Sequence, residues 1–350
     1  MTRIAVGRAD ISAVDVLDEA TPELADGQVR LAVDVFGMSA NNISYAMTGD
    51  FLGYWAHFPV DDTRGCVPVW GFAEVAESRH ADISVGERVF GYLSMGTELV
   101  VQPDAVTDLA FSDSIEHRAA LHPWYRRLYR CAADPAHDAD AEGLQATVWA
   151  LFMTGWAIAD DLAPTARTIV ASSASSKTSL SLAWAMRRLG VDVQVVGLTS
   201  AANLDFVEGC DVYDSVRTYD ALDVADLEGP VAYVDFAGNA GLKEQVHAAL
   251  GDRLADSLIV GGTHQGGDPG TGELVGPAPR FFFIPDVAEA AEGGHAAFHA
   301  RFADALAPFS AWIAGLLELD EASGVDAVVA AYNELLGGNP GPTRSKVLSW

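Results

Sequence analysis

The stretch Arg167-Thr168-Ile169-Val170-Ala171-Ser172-Ser173-Ala174-Ser175-Ser176-Lys177-Thr178 runs a short β-branched strand into a turn of four serines and a lysine. Directly behind it, Ser179-Leu180-Ser181-Leu182-Ala183-Trp184-Ala185-Met186-Arg187-Arg188-Leu189-Gly190 places Leu182, Met186 and Leu189 at helical spacing, so the unit reads strand, turn, helix. Small residues at such a turn let backbone N–H groups and hydroxyls approach phosphates, and a helix N-terminus favours negative charge there. Lys177 is one of only three lysines in the chain. Ser173, Ser175, Ser176, Lys177 and Thr178 therefore make a candidate anion site.

Two chemistries fit the turn. One is a dinucleotide-binding βαβ unit with serines in place of its three glycines. The other is a degenerate P-loop of a phosphate-transferring enzyme, since Ala171-x4-Ser176-Lys177-Thr178 keeps the register of G-x4-G-K-T but lacks both glycines. A polar N-cap cluster that holds no ligand is the third reading.

The rest of the chain narrows the choice. Its 350 residues, 50% hydrophobic, suffice for two domains with ample core. The formal net charge of −28 repels polyanions, so neither nucleic acid nor an anionic membrane surface is an expected partner. No apolar run reaches the roughly 18 residues of a membrane span, and Met1-Thr2-Arg3-Ile4-Ala5-Val6 lacks a secretory apolar core, so a cytoplasmic location is expected. Cys66, Cys131 and Cys210 are few, odd in number and far apart, which argues against a disulfide framework and a cysteine-based zinc site.

The first hundred residues read as strands broken by Gly and Pro, at 29–36, 67–75 and 87–92, a texture that suits a mostly antiparallel barrel. From about residue 145, strand candidates at 168–171, 193–198, 231–236 and 257–261 alternate with helical stretches, which predicts a doubly wound parallel sheet. Lys346-Val347-Leu348-Ser349-Trp350 reads as a closing strand. Between the halves, Arg118, Arg126, Arg127 and Arg130 crowd together with His122, Trp124, Tyr125 and Tyr129. This basic, aromatic island either faces an anionic ligand or is a surface helix whose arginines pair with nearby acids.

Barrel, doubly wound domain and short C-terminal return together resemble the medium-chain dehydrogenase/reductase superfamily. The resemblance lies in Asn41-Asn42-Ile43-Ser44-Tyr45 through Gly49, similar to the family's N-x-x-D-y before a glycine, and in Gly86-Glu87-Arg88-Val89, similar to G-D-R-V. It continues in the strand ends Leu198-Thr199-Ser200, Val234-Asp235-Phe236-Ala237-Gly238 and Val260-Gly261, and in Ser345-Lys346-Val347-Leu348, similar to G-K-V-L. Residues 103 to 145 and 264 to 300 depart from the pattern. The branch it resembles is the zinc-free one of quinone oxidoreductases and enoyl reductases, and within it a subgroup described mostly as of unknown function.

The resemblance implies an α/β fold: a GroES-like catalytic barrel at 1–143 with 310–350, and a dinucleotide-binding Rossmann domain at 144–309. It implies an NADPH-dependent, metal-independent reductase that transfers hydride to an activated C=C bond or a quinone. A P-loop-like phosphate-transferring enzyme and a catalytically inactive dinucleotide-binding protein remain the alternatives. Tyr45 and Tyr54 are the catalytic candidates, as proton donors or pocket walls. Cofactor contacts are expected from Asn41, the serine turn, Thr199, Ser200, Asn203, Gly238, Asn239, Gly261 and Thr263. At 199–200 hydroxyls stand where an NAD-specific domain carries a carboxylate, which favours NADPH, with Arg217 a nearby cation. The cleft of this superfamily lies between its domains, so Trp124, Tyr125, Arg126 and Arg127 are expected to line the pocket of a small substrate, with an arginine suited to an acidic group; a homodimer stays open.

Overall fold

Alternating apolar side chains in the first half form strands in a computed structural model of the chain, which describes residues 1–224, 226–260, 274–338 and 341–350. In chain order come β1 (Thr2–Gly7), β2 (Val14–Asp18), β3 (Val29–Met38), α1 (Ala40–Met47), β4 (Arg64–Gly65), β5 (Pro68–Ser78), β6 (Arg88–Ser94) and β7 (Glu98–Val101). Then follow β8 (Pro103–Asp104), β9 (Ala110–Asp113), α2 (Pro123–Arg126), β10 (Arg127–Arg130) and α3 (Glu142–Leu162). The second half continues with β11 (Thr168–Ala171), α4 (Lys177–Leu189), β12 (Gln194–Thr199), α5 (Leu204–Gly209), β13 (Ser215–Thr218), β14 (Val231–Asp235), α6 (Ala240–Leu250) and β15 (Leu254–Ile259). It closes with β16 (Arg280–Phe281), α7 (Ile284–Glu289), α8 (Gly294–Ile313), β17 (Glu318–Ser323), α9 (Val325–Gly337) and β18 (Arg344–Ser349). Two compact units result, residues 1–149 with 299–350, and 150–298; the chain passes between them within α3 and α8.

The first unit holds a three-stranded sheet, β2-β1-β4, and a nine-stranded sheet in the order β17-β18-β3-β5-β6-β10-β9-β8, with β7 also on β3. Apart from the parallel pair β17–β18, the larger sheet is antiparallel. It is not closed, so the expected barrel is corrected to an open sheet. Both ends are poor at pairing: β8 is two residues long and starts on Pro103, which has no N–H, and β17 exposes Glu318 and Glu321. Trp149, fully buried, lies against Trp70 at 4.8 Å, Phe90 at 5.2 Å, Phe302 at 5.2 Å, Tyr129 at 5.7 Å and Trp124 at 5.9 Å between ring centroids.

The second unit is a six-stranded sheet, β13-β12-β11-β14-β15-β16, with every pair parallel. Numbered along the chain, that order is the 3-2-1-4-5-6 of the dinucleotide-binding fold. Val170, Val196, Leu198, Val231 and Tyr233 of the strands pack with Leu242, Val246 and Leu250 of α6. On α4, Leu182 and Met186 are buried as their spacing predicts; Leu189 is 45% exposed, because the helix ends there on Gly190 in the left-handed region.

Gly71 of β5 shows how tightly the first unit's sheet is made. A Cβ there would lie 2.4 Å from the Val35 carbonyl oxygen and 2.6 Å from the Phe36 Cβ, beside the register shift between Val33 and Phe36. Gly71→Ala is expected to destabilise the protein by about 1–3 kcal/mol, the usual cost of overpacking. A thermal melt superimposable on that of the wild type contradicts this.

Candidate functional site

The turn after β11 is held from beneath by Ser172. Its fully buried hydroxyl accepts the N–H groups of Phe236 (2.9 Å) and Ala237 (3.0 Å) at the end of β14 and donates to Asp235 Oδ1 at 3.1 Å. The Gly238 N–H, in a residue with φ of 65°, also donates to Asp235 Oδ1 at 2.9 Å. Ser173 takes a left-handed φ of 52°, unusual for a side-chain-bearing residue and suited to the glycine that it replaces. Its N–H donates to the Tyr219 hydroxyl at 3.1 Å. Ser176 is the N-cap of α4, its hydroxyl accepting from the Ser179 N–H at 3.2 Å. Ser175 Oγ accepts from Asn203 Nδ2 at 3.0 Å, which ties the turn to the segment after β12.

Lys177 and Thr178 open α4 and are half-buried. Burial pulls the Lys177 ammonium down to about 8, the sign of a cation for which a neighbouring anion would be favourable. At the end of β12, Thr199 is buried and Ser200 half-buried. Arg217 of β13, opposite Leu198 in register, binds both carboxylate oxygens of Asp226 at 2.8 Å through Nη2, while its Nη1 is buried with no hydrogen-bond partner among the described residues. Asn239 caps α6, accepting from the Leu242 N–H. Gly261 and Thr263 lie outside the described residues. Asp235, the carboxylate that phosphate transfer would need for a Mg²⁺ ion, is fully buried, and burial pushes it up from the ordinary range. The roles of Ser172 beneath the turn and of Tyr219 above Ser173 escape a reading of the sequence, because a tyrosine 46 residues after Ser173 gives no periodic signal.

In the first unit a capping box starts α1: the Ser39 hydroxyl accepts from the Asn41 N–H, and the Asn42 side chain accepts from the Ser39 N–H. Asn42 Nδ2 donates to the Pro68 carbonyl at 2.8 Å, fixing α1 on β5. This sets Tyr45, whose hydroxyl accepts from Trp70 Nε1 at 3.3 Å and hydrogen-bonds the Asn41 side chain. The Tyr45 and Tyr54 rings are 4.6 Å apart, and the Tyr54 and Tyr125 hydroxyl oxygens 3.3 Å apart. Tyr92 of β6 lies 5.6 Å from Tyr45 and 4.7 Å from Tyr125. Burial pushes the Tyr45, Tyr54 and Tyr92 hydroxyls up, so each keeps its proton near neutral pH. His57, 4% exposed, is pulled down to about 3, first by burial and then by the Arg118 and His117 charges. The cluster is an uncharged set of proton-carrying groups.

The segment 122–130 is a single helical turn followed by a strand, since β10 pairs with both β6 and β9. Trp124 is buried in the core and Tyr125 joins the tyrosines. Arg126 donates through Nε to the Leu121 carbonyl and through Nη1 to the Asp113 carbonyl, and Arg127 is half-buried where α2 meets β10. Arg118 forms a buried ion pair with Asp113 at 2.5 Å, and Arg130 pairs with Glu87 at 2.9 Å. Arg118 and Arg130 thus pair with acids inside the unit. A small cavity there is bordered by Phe58, Tyr92, Asp113, Arg118, Tyr125 and Arg126, among others.

A family model described as "Protein of unknown function (DUF2855)" matches residues 36–340. The chain belongs to the DUF2855 family. A search of the curated proteins found no match. Among solved structures, this DUF2855 protein is similar to a mycobacterial protein, Rv1454c, solved with NADPH (16% identity, TM-score 0.63, 100% of each chain). It is also similar to the enoyl reductase of CurK (12% identity, TM-score 0.63, 99% of this chain and 98% of that one). A third is a quinone oxidoreductase from Coxiella burnetii (12% identity, TM-score 0.55, 100% and 99%). The DUF2855 chain therefore has the medium-chain dehydrogenase/reductase fold. No helix among its described residues is long and apolar enough to cross a membrane.

His57 gives a test of the uncharged cluster. Its folded value of about 3 lies below the ordinary 6.5, so below pH 6.5 the unfolded chain binds a proton that the native state refuses. Stability from this group is complete above 6.5 and falls as the pH drops toward 3, by an order of a few kcal/mol. His57→Gln removes that term, and its melting temperature is expected to fall less than the wild type's between pH 7 and pH 4. Parallel curves mean that the native imidazole accepts the proton.

Proposed function

We propose that this chain is a cytoplasmic, NADPH-dependent and metal-independent oxidoreductase that reduces an activated carbon–carbon double bond or a quinone. The observation that carries the reading is the turn after β11: a left-handed Ser173, hydroxyls at Ser175 and Ser176, and a partly buried Lys177 at the N-terminus of α4, on the first strand of a 3-2-1-4-5-6 sheet. Each group there suits a phosphate, and Arg217, opposite Leu198 in register, keeps Nη1 without a hydrogen-bond partner among the described residues. The similar Rv1454c was solved with NADPH, and the other two similar structures are an enoyl reductase and a quinone oxidoreductase, which supports the same cofactor and reaction class here.

When bound, the nicotinamide supplies the hydride. The chain's own part is the proton: Tyr45 or Tyr54 holds one on a buried hydroxyl and gives it to the substrate atom next to the one that receives hydride. Trp124, Tyr125, Arg126 and Arg127 shape the substrate side, with Arg126 or Arg127 the partner of an acidic group. Among the described residues no group of three His, Cys, Asp or Glu side chains is placed to hold a metal ion.

Titration of the apo protein is expected to give tighter binding of NADPH than of NADH. Equal affinities remove the argument from Thr199 and Ser200. Lys177→Met is expected to weaken NADPH binding by about 1–3 kcal/mol, the range of a charge-assisted hydrogen bond. Unchanged affinity in a folded variant puts Lys177 outside the cofactor site. NADPH binding without oxidation of NADPH by any quinone or enone makes the chain an inactive dinucleotide binder.

A further inference from the structure

We propose that Tyr125 is a positioning residue whose hydroxyl aims Tyr54 and stabilises it as it gives up its proton. This rests on the oxidoreductase reading and assigns a task to a segment that departs from the family pattern.

The geometry begins with the 3.3 Å between the two hydroxyl oxygens, a hydrogen bond in which either can donate. The ring of Tyr125 stands edge-on to those of Tyr54 (5.8 Å, 84°) and His57 (5.3 Å, 77°), so its hydroxyl direction is set by packing on two sides. The helix that carries it is clamped on both flanks. Pro123 opens α2, His122 Nδ1 accepts from the Trp124 N–H, Trp124 is 3% exposed near Trp149, and Arg126 is fastened to the Leu121 and Asp113 carbonyls. Four residues in a row, 122 to 125, with Arg126 behind them, thus fix one hydroxyl oxygen.

The chemistry follows from what faces Tyr54. These groups are Tyr45 from α1, His57 from its own turn, Tyr92 from β6 and Tyr125 from α2, with the Arg118–Asp113 pair behind His57. His57 is neutral and the ion pair is self-compensated, so among the described residues the Tyr54 hydroxyl is governed by burial and by its hydrogen bond with Tyr125. As the Tyr54 O–H bond breaks and the proton joins the substrate atom beside the hydride acceptor, the electron pair stays on the Tyr54 oxygen. The Tyr125 O–H then donates to that oxygen, and a hydrogen bond to a charged acceptor is about twice as strong as one between neutral groups. Water returns the proton to Tyr54 afterwards.

The test is Tyr125→Phe in the full chain, which keeps the ring and its packing and removes only the hydroxyl. With ¹³Cζ-tyrosine labelling and Tyr54→Phe to assign the resonance, the Tyr54 signal is expected to titrate about one pH unit higher in Tyr125→Phe than in the wild type, a tenfold weaker acid. With NADPH and 2-cyclohexen-1-one, kcat is expected to fall roughly tenfold or more while KM and NADPH affinity stay within about twofold, and the alkaline limb of the pH profile to move up. An unmoved Tyr54 resonance overturns the inference whatever the activity. Failure of the wild type to bind NADPH, or to oxidise it with any enone or quinone, overturns the oxidoreductase reading instead, and the resonance still decides whether Tyr125 governs Tyr54.

Discussion

Ser172 is the point on which the second unit's strand ends depend. Where β11 and β14 stop, their backbone groups lose the sheet ladder, and N–H groups buried without partners would each cost about 1–3 kcal/mol. One hydroxyl meets the need by accepting from Phe236 and Ala237 and donating to Asp235, which in turn receives the Gly238 N–H. With the strand ends satisfied from within, the turn above is left to place Ser173, Ser175, Ser176 and Lys177 by its own geometry. Asp235 is thereby a structural acceptor, its carboxylate turned to the protein's interior.

The first unit solves the opposite problem. It gathers tyrosines, a histidine and a tryptophan where water is scarce: Tyr54 bonds Tyr125 and Trp70 bonds Tyr45, while the rings of Tyr92 and His57 pack against the others. Burial raises the Tyr45, Tyr54 and Tyr92 phenols and lowers the His57 imidazole, so these four groups stay neutral. A set of neutral O–H groups tolerates an apolar neighbour and can still release a proton when charge develops beside it. The Ser172 hydroxyl and the Tyr54–Tyr125 pair are thus two cases in which buried polar atoms find partners.

How much of this is legible in the sequence depends on how local the cause is. The strand at 168–171 and the helix behind it are read from β-branching and apolar spacing, and the structure has β11 and α4 there. Leu189 fails the same reading because Gly190 ends the helix before that side chain can turn inward. The expected barrel is found as an open sheet because closure depends on two end strands meeting, which alternation within each strand does not report. Tyr45 and Tyr54 are found through a motif, whereas Tyr92 and His57 join them only in three dimensions. The arginine island is ambiguous in sequence because its partners are fixed only by folding: Glu87, 43 residues before Arg130, reaches it through the pairing of β6 with β10, whereas Asp113 lies five residues before Arg118.

Those internal pairings alter what approaching molecules meet. Arg30, Arg88, Arg118, Arg130 and Arg217 are each matched with acids of the same unit, so much of the chain's positive charge is neutralised close to home, while most of the −28 remains to face solvent. The long-range field then opposes any polyanionic ligand until the last few ångströms, where local donors take over. Added salt shortens the reach of that repulsion to about 10 Å at 0.1 M. Encounter with a phosphate-rich molecule should consequently quicken as ionic strength rises, the reverse of the electrostatic steering seen in enzymes that draw their ligands in.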